Sequence, residues 1–198
     1  MMKKLTLLLL LMVSTNVLLL SNSTSIYALD FQPIRSNPED RFAISVPNGW
    51  NSNITPSVSG KLYAFWDGAG NALTVDVGAP NSFKPILKAI ENNKISKTKL
   101  LEIQQVWQTW DVNKLNLLVS ISTVANRKML TKTLTYKQES LDTVIFVKSI
   151  EYSFLYDEKQ YSISYTAPPA YTIEEAEANF DKSYQQYLKP ILITFFLQ

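Results

Sequence analysis

Residues 150–165 read Ile150-Glu151-Tyr152-Ser153-Phe154-Leu155-Tyr156-Asp157-Glu158-Lys159-Gln160-Tyr161-Ser162-Ile163-Ser164-Tyr165. Apolar and aromatic residues alternate with Ser and charged residues on both sides of a short polar break. A period of two is the signature of a half-buried strand. Two such runs joined by a few turn-forming residues predict an antiparallel hairpin turned at Asp157-Glu158-Lys159. Upstream the first strand extends over residues 143–156, with Val144, Phe146, Ile150, Tyr152, Phe154 and Tyr156 on one face. Downstream Tyr161, Ile163 and Tyr165 share a face opposite Ser162 and Ser164, and Ala167-Pro168-Pro169 ends the sheet.

Working outward, the same pattern recurs. Phe42-Ala43-Ile44-Ser45-Val46 predicts a strand closed by the turn Pro47-Asn48-Gly49-Trp50, after a punctuated extended segment over 29–38. Residues 51–60 predict a polar loop. Lys61 to Asp67 and Ala72 to Val77 predict a hairpin turned by Gly68-Ala69-Gly70-Asn71, with Leu73, Val75 and Val77 facing the core. Both faces of the first of these strands carry apolar residues, so the hairpin is expected to be covered on both sides. Residues 115–124 and 129–137 form a further alternating pair turned at Asn126-Arg127, and Leu130, Lys132, Leu134 and Tyr136 share a face.

Helical spacing appears in three places. Ile86, Leu87 and Ile90 mark one face over residues 80–93, with Pro85 in the first turn. Leu100, Ile103, Val106, Trp107 and Trp110 mark a second over 97–110. Thr172 and Glu175 form a capping box before the stripe Ile173, Ala176, Phe180, Tyr184 and Leu188. Pro190 is expected to stop that helix, and residues 191–196 to form a last buried strand. Strands, helices, a meander, a helix and a strand together predict an α+β fold: an antiparallel β-sheet flanked by helices.

The chain opens with Met1-Met2-Lys3-Lys4, an apolar run from Leu5 to Leu20, and small polar residues up to Ile26-Tyr27-Ala28. This is the pattern of an export signal, with cleavage expected after Ala28. The run is interrupted by Ser14, Thr15 and Asn16, whereas a spanning helix needs about 20 mostly apolar residues. The expected organisation is a signal peptide over 1–28, an extended segment over 29–41, and one domain over 42–198. The exported protein is expected in a periplasm, a lumen or the medium, without a transmembrane anchor.

Composition narrows the chemistry. The chain holds 0 Cys and 0 His. No lipid can be attached at a lipobox Cys, and no disulfide can form. Thiol or imidazole metal sites, the Ser-His-Asp triad and the Cys-His dyad are excluded. With Lys3 and Lys4 removed, the 19 basic residues fall to the number of acidic ones, 17, so nothing attracts a phosphate backbone and no nucleic acid is expected as partner. All 5 glycines lie between residues 49 and 78, where they form no phosphate-binding fingerprint. No cofactor, metal or catalytic residue is assigned.

Three stretches carry a family likeness: Asp40-Arg41-Phe42-Ala43-Ile44-Ser45-Val46-Pro47-Asn48-Gly49-Trp50, the hairpin after it, and Tyr161-Ser162-Ile163-Ser164-Tyr165-Thr166-Ala167 followed by a helix and an ending Thr194-Phe195-Phe196. Together they resemble the PsbP-like family, across about residues 30 to 198. The resemblance implies an α/β/α sandwich, export to a thylakoid lumen or periplasm, and an accessory role in a membrane-associated complex. The chain departs from the family in lacking the lipobox Cys of many bacterial relatives and any His for metal binding.

The remaining candidates have plain structural readings beside functional ones. Glu174, Glu177 and Asp181 could hold a hard cation, yet acids also favour the start of a helix. Ser96 and Lys99 fit Ser-x-x-Lys without the companion motifs of that enzyme class. Asp67, Asp76, Glu151 and Asp157 are the carboxylates available to a hydrolase. Tyr156 and Tyr161, at a hairpin tip, are the rings expected to be exposed and to touch a partner. The resulting expectation is a non-enzymatic exported accessory protein that binds another protein. The alternative is a carboxylate-based hydrolase or a small-molecule binder.

Overall fold

The elements, taken from a computed structural model that describes residues 29–109, 114–140 and 143–198, follow the alternation closely. The expected leader lies outside the described residues, as does Trp110. In chain order the strands are β1 (Phe31–Arg35), β2 (Phe42–Pro47), β3 (Asn51–Pro56), β4 (Gly60–Trp66) and β5 (Ala72–Gly78). Helices α1 (Lys84–Glu91) and α2 (Lys97–Thr109) precede β6 (Lys114–Val124), β7 (Arg127–Ser140), β8 (Thr143–Tyr156) and β9 (Lys159–Thr166). Helix α3 (Ile173–Ser183), a π-helical turn (Tyr184–Leu188), α4 (Lys189–Thr194) and β10 (Phe196–Leu197) close the chain.

All pairings are antiparallel. A seven-stranded sheet runs β3-β4-β5-β9-β8-β7-β6, and a small sheet runs β1-β2-β10. The β6–β7 and β8–β9 hairpins each turn through two residues with positive φ, Ala125-Asn126 and Asp157-Glu158. That conformation matches the right-handed twist of the strands it joins. On the sheet's first face Tyr63, Val75, Ile163 and Tyr152 follow one another across four strands. They pack with Phe180, Leu188 and Ile191 from the C-terminal helices, with Phe195 just after them, and with Phe42, Ile44 and Val46 of the small sheet. The second face is covered only in part. There α1 and α2 lie over β6, β7 and the end of β8, burying Leu87, Ile90 and Ile103 against Leu117, Val119 and Leu130. Helices therefore flank the antiparallel sheet, and the fold is α+β.

The structure departs from the sequence expectations in several places. Residues 51–56, expected as polar loop, form edge strand β3 by pairing with β4; their side chains are mostly exposed, so no hydrophobic period marks them. Residues 191–194, expected as the start of a strand over 191–196, belong to the helix Lys189–Thr194. Pro190 does not stop the helix because the preceding turn widens to π geometry, with the Lys189 N–H donating to the Tyr184 carbonyl, and Pro is tolerated in the first turn of the helix that follows. Leu115 opens the alternating run expected over 115–124, with Leu117, Val119 and Ile121 on its face, yet it is exposed; a register shift between Lys114 and Asn116 leaves it without a partner on β7. The second face of β4 is half open, with Trp66 exposed, because α1 and α2 cover the other end of the sheet.

Candidate functional site

The uncovered part of the second face is a polar trough. Strand register stacks Thr74, Ser164, Glu151 and Lys132 on one rung and Asp76, Ser162, Ser153 and Leu130 on the next. Lys132 Nζ lies 2.5 Å from Glu151. Ser153 Oγ donates to Glu151 at 3.0 Å and shares a 2.9 Å bond with Ser162 Oγ. Asp76 accepts from Ser57 Oγ at 2.8 Å. The trough encloses about 300 Å³, and Gln160 and Asn81 stand at its border.

Beside the trough, next to α2, lies a recess of about 240 Å³. Leu117, Leu130 and Leu134 make the floor, and Asn81, Glu151 and Gln160 line both hollows. Phe83 and Trp107, with ring centres 5.0 Å apart, form a wall. Lys132 Nζ sits 5.3 Å over the Trp107 ring, within cation–π range. Lys114 Nζ donates to the Trp107 carbonyl at 2.8 Å. The recess is thus apolar below and charged at its mouth.

A second surface surrounds α1. A groove of about 320 Å³ between α1 and α2 is lined by Phe83, Ile86, Ile103, Val106 and Trp107, with Val106 49% exposed. On the other flank of α1, Lys84 pairs with Glu158 at 2.7 Å and Arg127 with Glu91 at 3.7 Å. The Arg127 guanidinium lies 5.3 Å from the centre of the half-buried Tyr156 ring.

Tyr161 is not an exposed ring. It is 0% exposed, stacked on Phe154 at 5.2 Å, and its hydroxyl donates to the Asp40 carbonyl at 2.9 Å. The chain segment around Asp40, distant in sequence, covers it. Burial pushes the Tyr161 phenol up to about 12. Asp40 is itself buried, accepting from Tyr63 Oη at 2.6 Å and from Lys159 Nζ at 3.2 Å. Burial alone would raise its carboxyl, but those bonds and the charge of Lys61 outweigh it and hold the group below its ordinary value.

The other candidates have structural partners. Ser96 Oγ accepts from the Lys99 N–H at 3.1 Å, which is the contact of a helix N-cap for α2. Thr172 caps α3 in the same way, accepting from the Glu175 N–H. Asp67 accepts from the Ala69 and Asn71 N–H groups of its own turn. Asp157 pairs with Arg41. Of the four carboxylates offered to a hydrolase, Asp76 and Glu151 share the trough, but β9 runs between them. Glu177 is within 4.0 Å of Lys148. Among the described residues no three carboxylates gather in a metal-binding group, and no helix is long and apolar enough to cross a membrane.

Sequence reasoning singled out Trp107 and placed Lys132 among apolar neighbours, but it missed Asn81, Gln160 and the serine rungs. A charged residue inside an apolar face was the available signal.

The architecture defines the chain as an antiparallel sheet sandwiched by helices. Neither a protein-family model nor a curated protein matches it by sequence. Among solved structures it is similar to the Ran-binding protein Mog1p of Saccharomyces cerevisiae, at 12% identity and TM-score 0.48, over 86% of this chain and 96% of that one. It is also similar to LpqN of Mycobacterium tuberculosis, involved in cell envelope biogenesis, at 9% identity and TM-score 0.42, over 86% and 92%. A protein from Bacteroides thetaiotaomicron VPI-5482 aligns at 11% identity and TM-score 0.46 over 84% of this chain, which spans about half, 48%, of that one. These likenesses concern the fold alone.

Proposed function

We propose that this chain is an exported accessory protein of PsbP-like type, which works without turnover by binding another protein in an envelope or membrane-associated complex. The observation that carries the reading is the face around α1. Its apolar groove, with Val106 49% exposed, is rimmed by the Lys99–Glu102 pair, and the Lys84–Glu158 and Arg127–Glu91 pairs and Tyr156 lie on the opposite flank of α1. An apolar centre with a charged rim is the anatomy of a protein interface. Tyr156 adds a ring on the opposite flank of α1, and Tyr161, in edge contact with it, keeps the hairpin tip in place. The PsbP-like reading rests on residues 40–50 and 161–167. In them Phe42, Val46 and Trp50 serve the core, and the Trp50 N–H bonds the Pro47 carbonyl across the corner at 3.3 Å.

Export rests on the leader at residues 1–28, with the domain following it. N-terminal sequencing of the product from the native host is expected to start at Leu29; a start at Met1 would overturn cleavage. A photo-crosslinking amino acid at Val106 is expected to yield a discrete adduct with one envelope protein, while the same group at Val58, in the β3–β4 loop, yields none. Adducts at neither position, or equally at both, would sink the docking face.

A further inference from the structure

We propose that the recess beside Trp107 and the trough beside it together bind a neutral amphiphile: a compact apolar ring or short chain joined to a hydroxyl-rich head, as in an aryl or alkyl glycoside. This reading does not depend on protein docking at α1. The Phe83–Trp107 pair borders both places, but the recess has its own floor on the sheet.

The shape is the first argument. A cavity of about 150 Å³ lined by apolar side chains holds benzene, so a recess of about 240 Å³ takes one ring with a short substituent. Its floor of Leu117, Leu130 and Leu134 offers nothing to a polar group, and Trp107 offers an aromatic wall. The continuation is of opposite character. Thr74 and Ser164 place hydroxyls on the trough, and the side chains of Gln160 and Asn81 stand where the two hollows meet. A ligand that fills both must change from apolar to hydrogen-bonding along its length.

Charge is the second argument. The lining holds Lys114 and Lys132 against Asp76 and Glu151, so it favours neither sign. Lys132 and Glu151 already neutralise one another at 2.5 Å. An ionic ligand that engaged Lys132 or Glu151 would have to break that half-buried pair, and stripping one partner from such a pair is costly. Hydroxyl groups can instead bond to the outer lone pairs and N–H groups of the intact pair.

The test is calorimetric titration of the purified protein with phenyl β-D-glucoside. Saturable binding is expected, unchanged between low and high salt because no net charge is neutralised. Glucose alone and benzoate are each expected to bind at least about tenfold more weakly. Leu134→Trp, which fills the recess, and Trp107→Ala, which removes its wall, are each expected to cost about tenfold or more in affinity while keeping a cooperative melt. If Leu134→Trp does not fold, Trp107→Ala carries the test. Absence of saturable binding, equal binding of glucose alone, tighter binding of benzoate, or undiminished binding by a folded variant would each overturn the proposal.

Discussion

Tyr63 donates its phenolic hydrogen to Asp40 across 2.6 Å, joining the seven-stranded sheet to the segment that leads into the small sheet. Lys159 reaches the same carboxylate at 3.2 Å from the β8–β9 turn. Three stretches far apart in sequence therefore meet at one buried charge. Asp40→Asn keeps the size but loses the charge, and a hydrogen bond to a charged group is worth about 1.5–3 kcal/mol. Chemical denaturation is expected to show a loss of about that size; an unchanged midpoint would mean the cluster is not holding the elements together.

The acid limb of stability follows from the same carboxylate. Its folded value lies below the unfolded 3.8, so its contribution is complete above about pH 4 and fades as pH falls through the folded value. Asp40→Asn is expected to flatten the stability profile below pH 4 when melts are recorded across the acid range.

An alkaline limb follows from phenols. Tyr63 is pushed up to about 12 by burial and by its bond to Asp40, and Tyr161 to about 12 by burial. A raised folded value means full stability below the unfolded 10.0, lost as pH climbs towards 12. Absorbance of tyrosinate, followed with circular dichroism, is expected to show these two phenols ionising together with unfolding. Tyr161→Phe is expected to cost about 1 kcal/mol through its lost bond to the Asp40 carbonyl.

Gly60 and Gly78 face each other across β4 and β5. A Cβ on Gly78 would stand 2.1 Å from the Ser59 carbonyl oxygen, and one on Gly60 would stand 2.2 Å from that of Val77. Neither backbone can move without breaking the ladder. Gly78→Ala is expected to destabilise by at least about 2 kcal/mol, measured by the urea midpoint; a neutral result would show that the strands separate freely here.

Calcium or zinc is expected to leave the melting temperature unchanged, since ligands stabilise only in proportion to binding of the folded state. A rise of several degrees with either ion would identify a metal site at Glu174, Glu177 and Asp181 or elsewhere.

The residues that alternate strongly were legible. Tyr161, Ile163 and Tyr165 announced β9, and Thr172 announced the start of α3. What failed depended on partners remote in sequence. Asn51–Pro56 is a strand only because β4 lies beside it. Leu115 left the core because of a bulge that composition does not encode. Tyr161 reads as an exposed tip residue because nothing local reveals that the Asp40 segment folds over it. The trough was hidden for the same reason. Ser164, Glu151 and Lys132 become neighbours only through register, and a serine between tyrosines looks like an ordinary outward position.

The outer side of β6 carries one more lesson. Gln104 of α2 accepts the Val119 N–H at 3.1 Å, and Gln108 donates to the Lys114 carbonyl at 3.4 Å. At the sheet's far margin, β3 is short, mostly exposed and ends in Pro56. Both margins thus discourage the growth of one molecule's sheet into the next. Side-by-side pairing of seven-stranded sheets is thereby disfavoured when copies are crowded together.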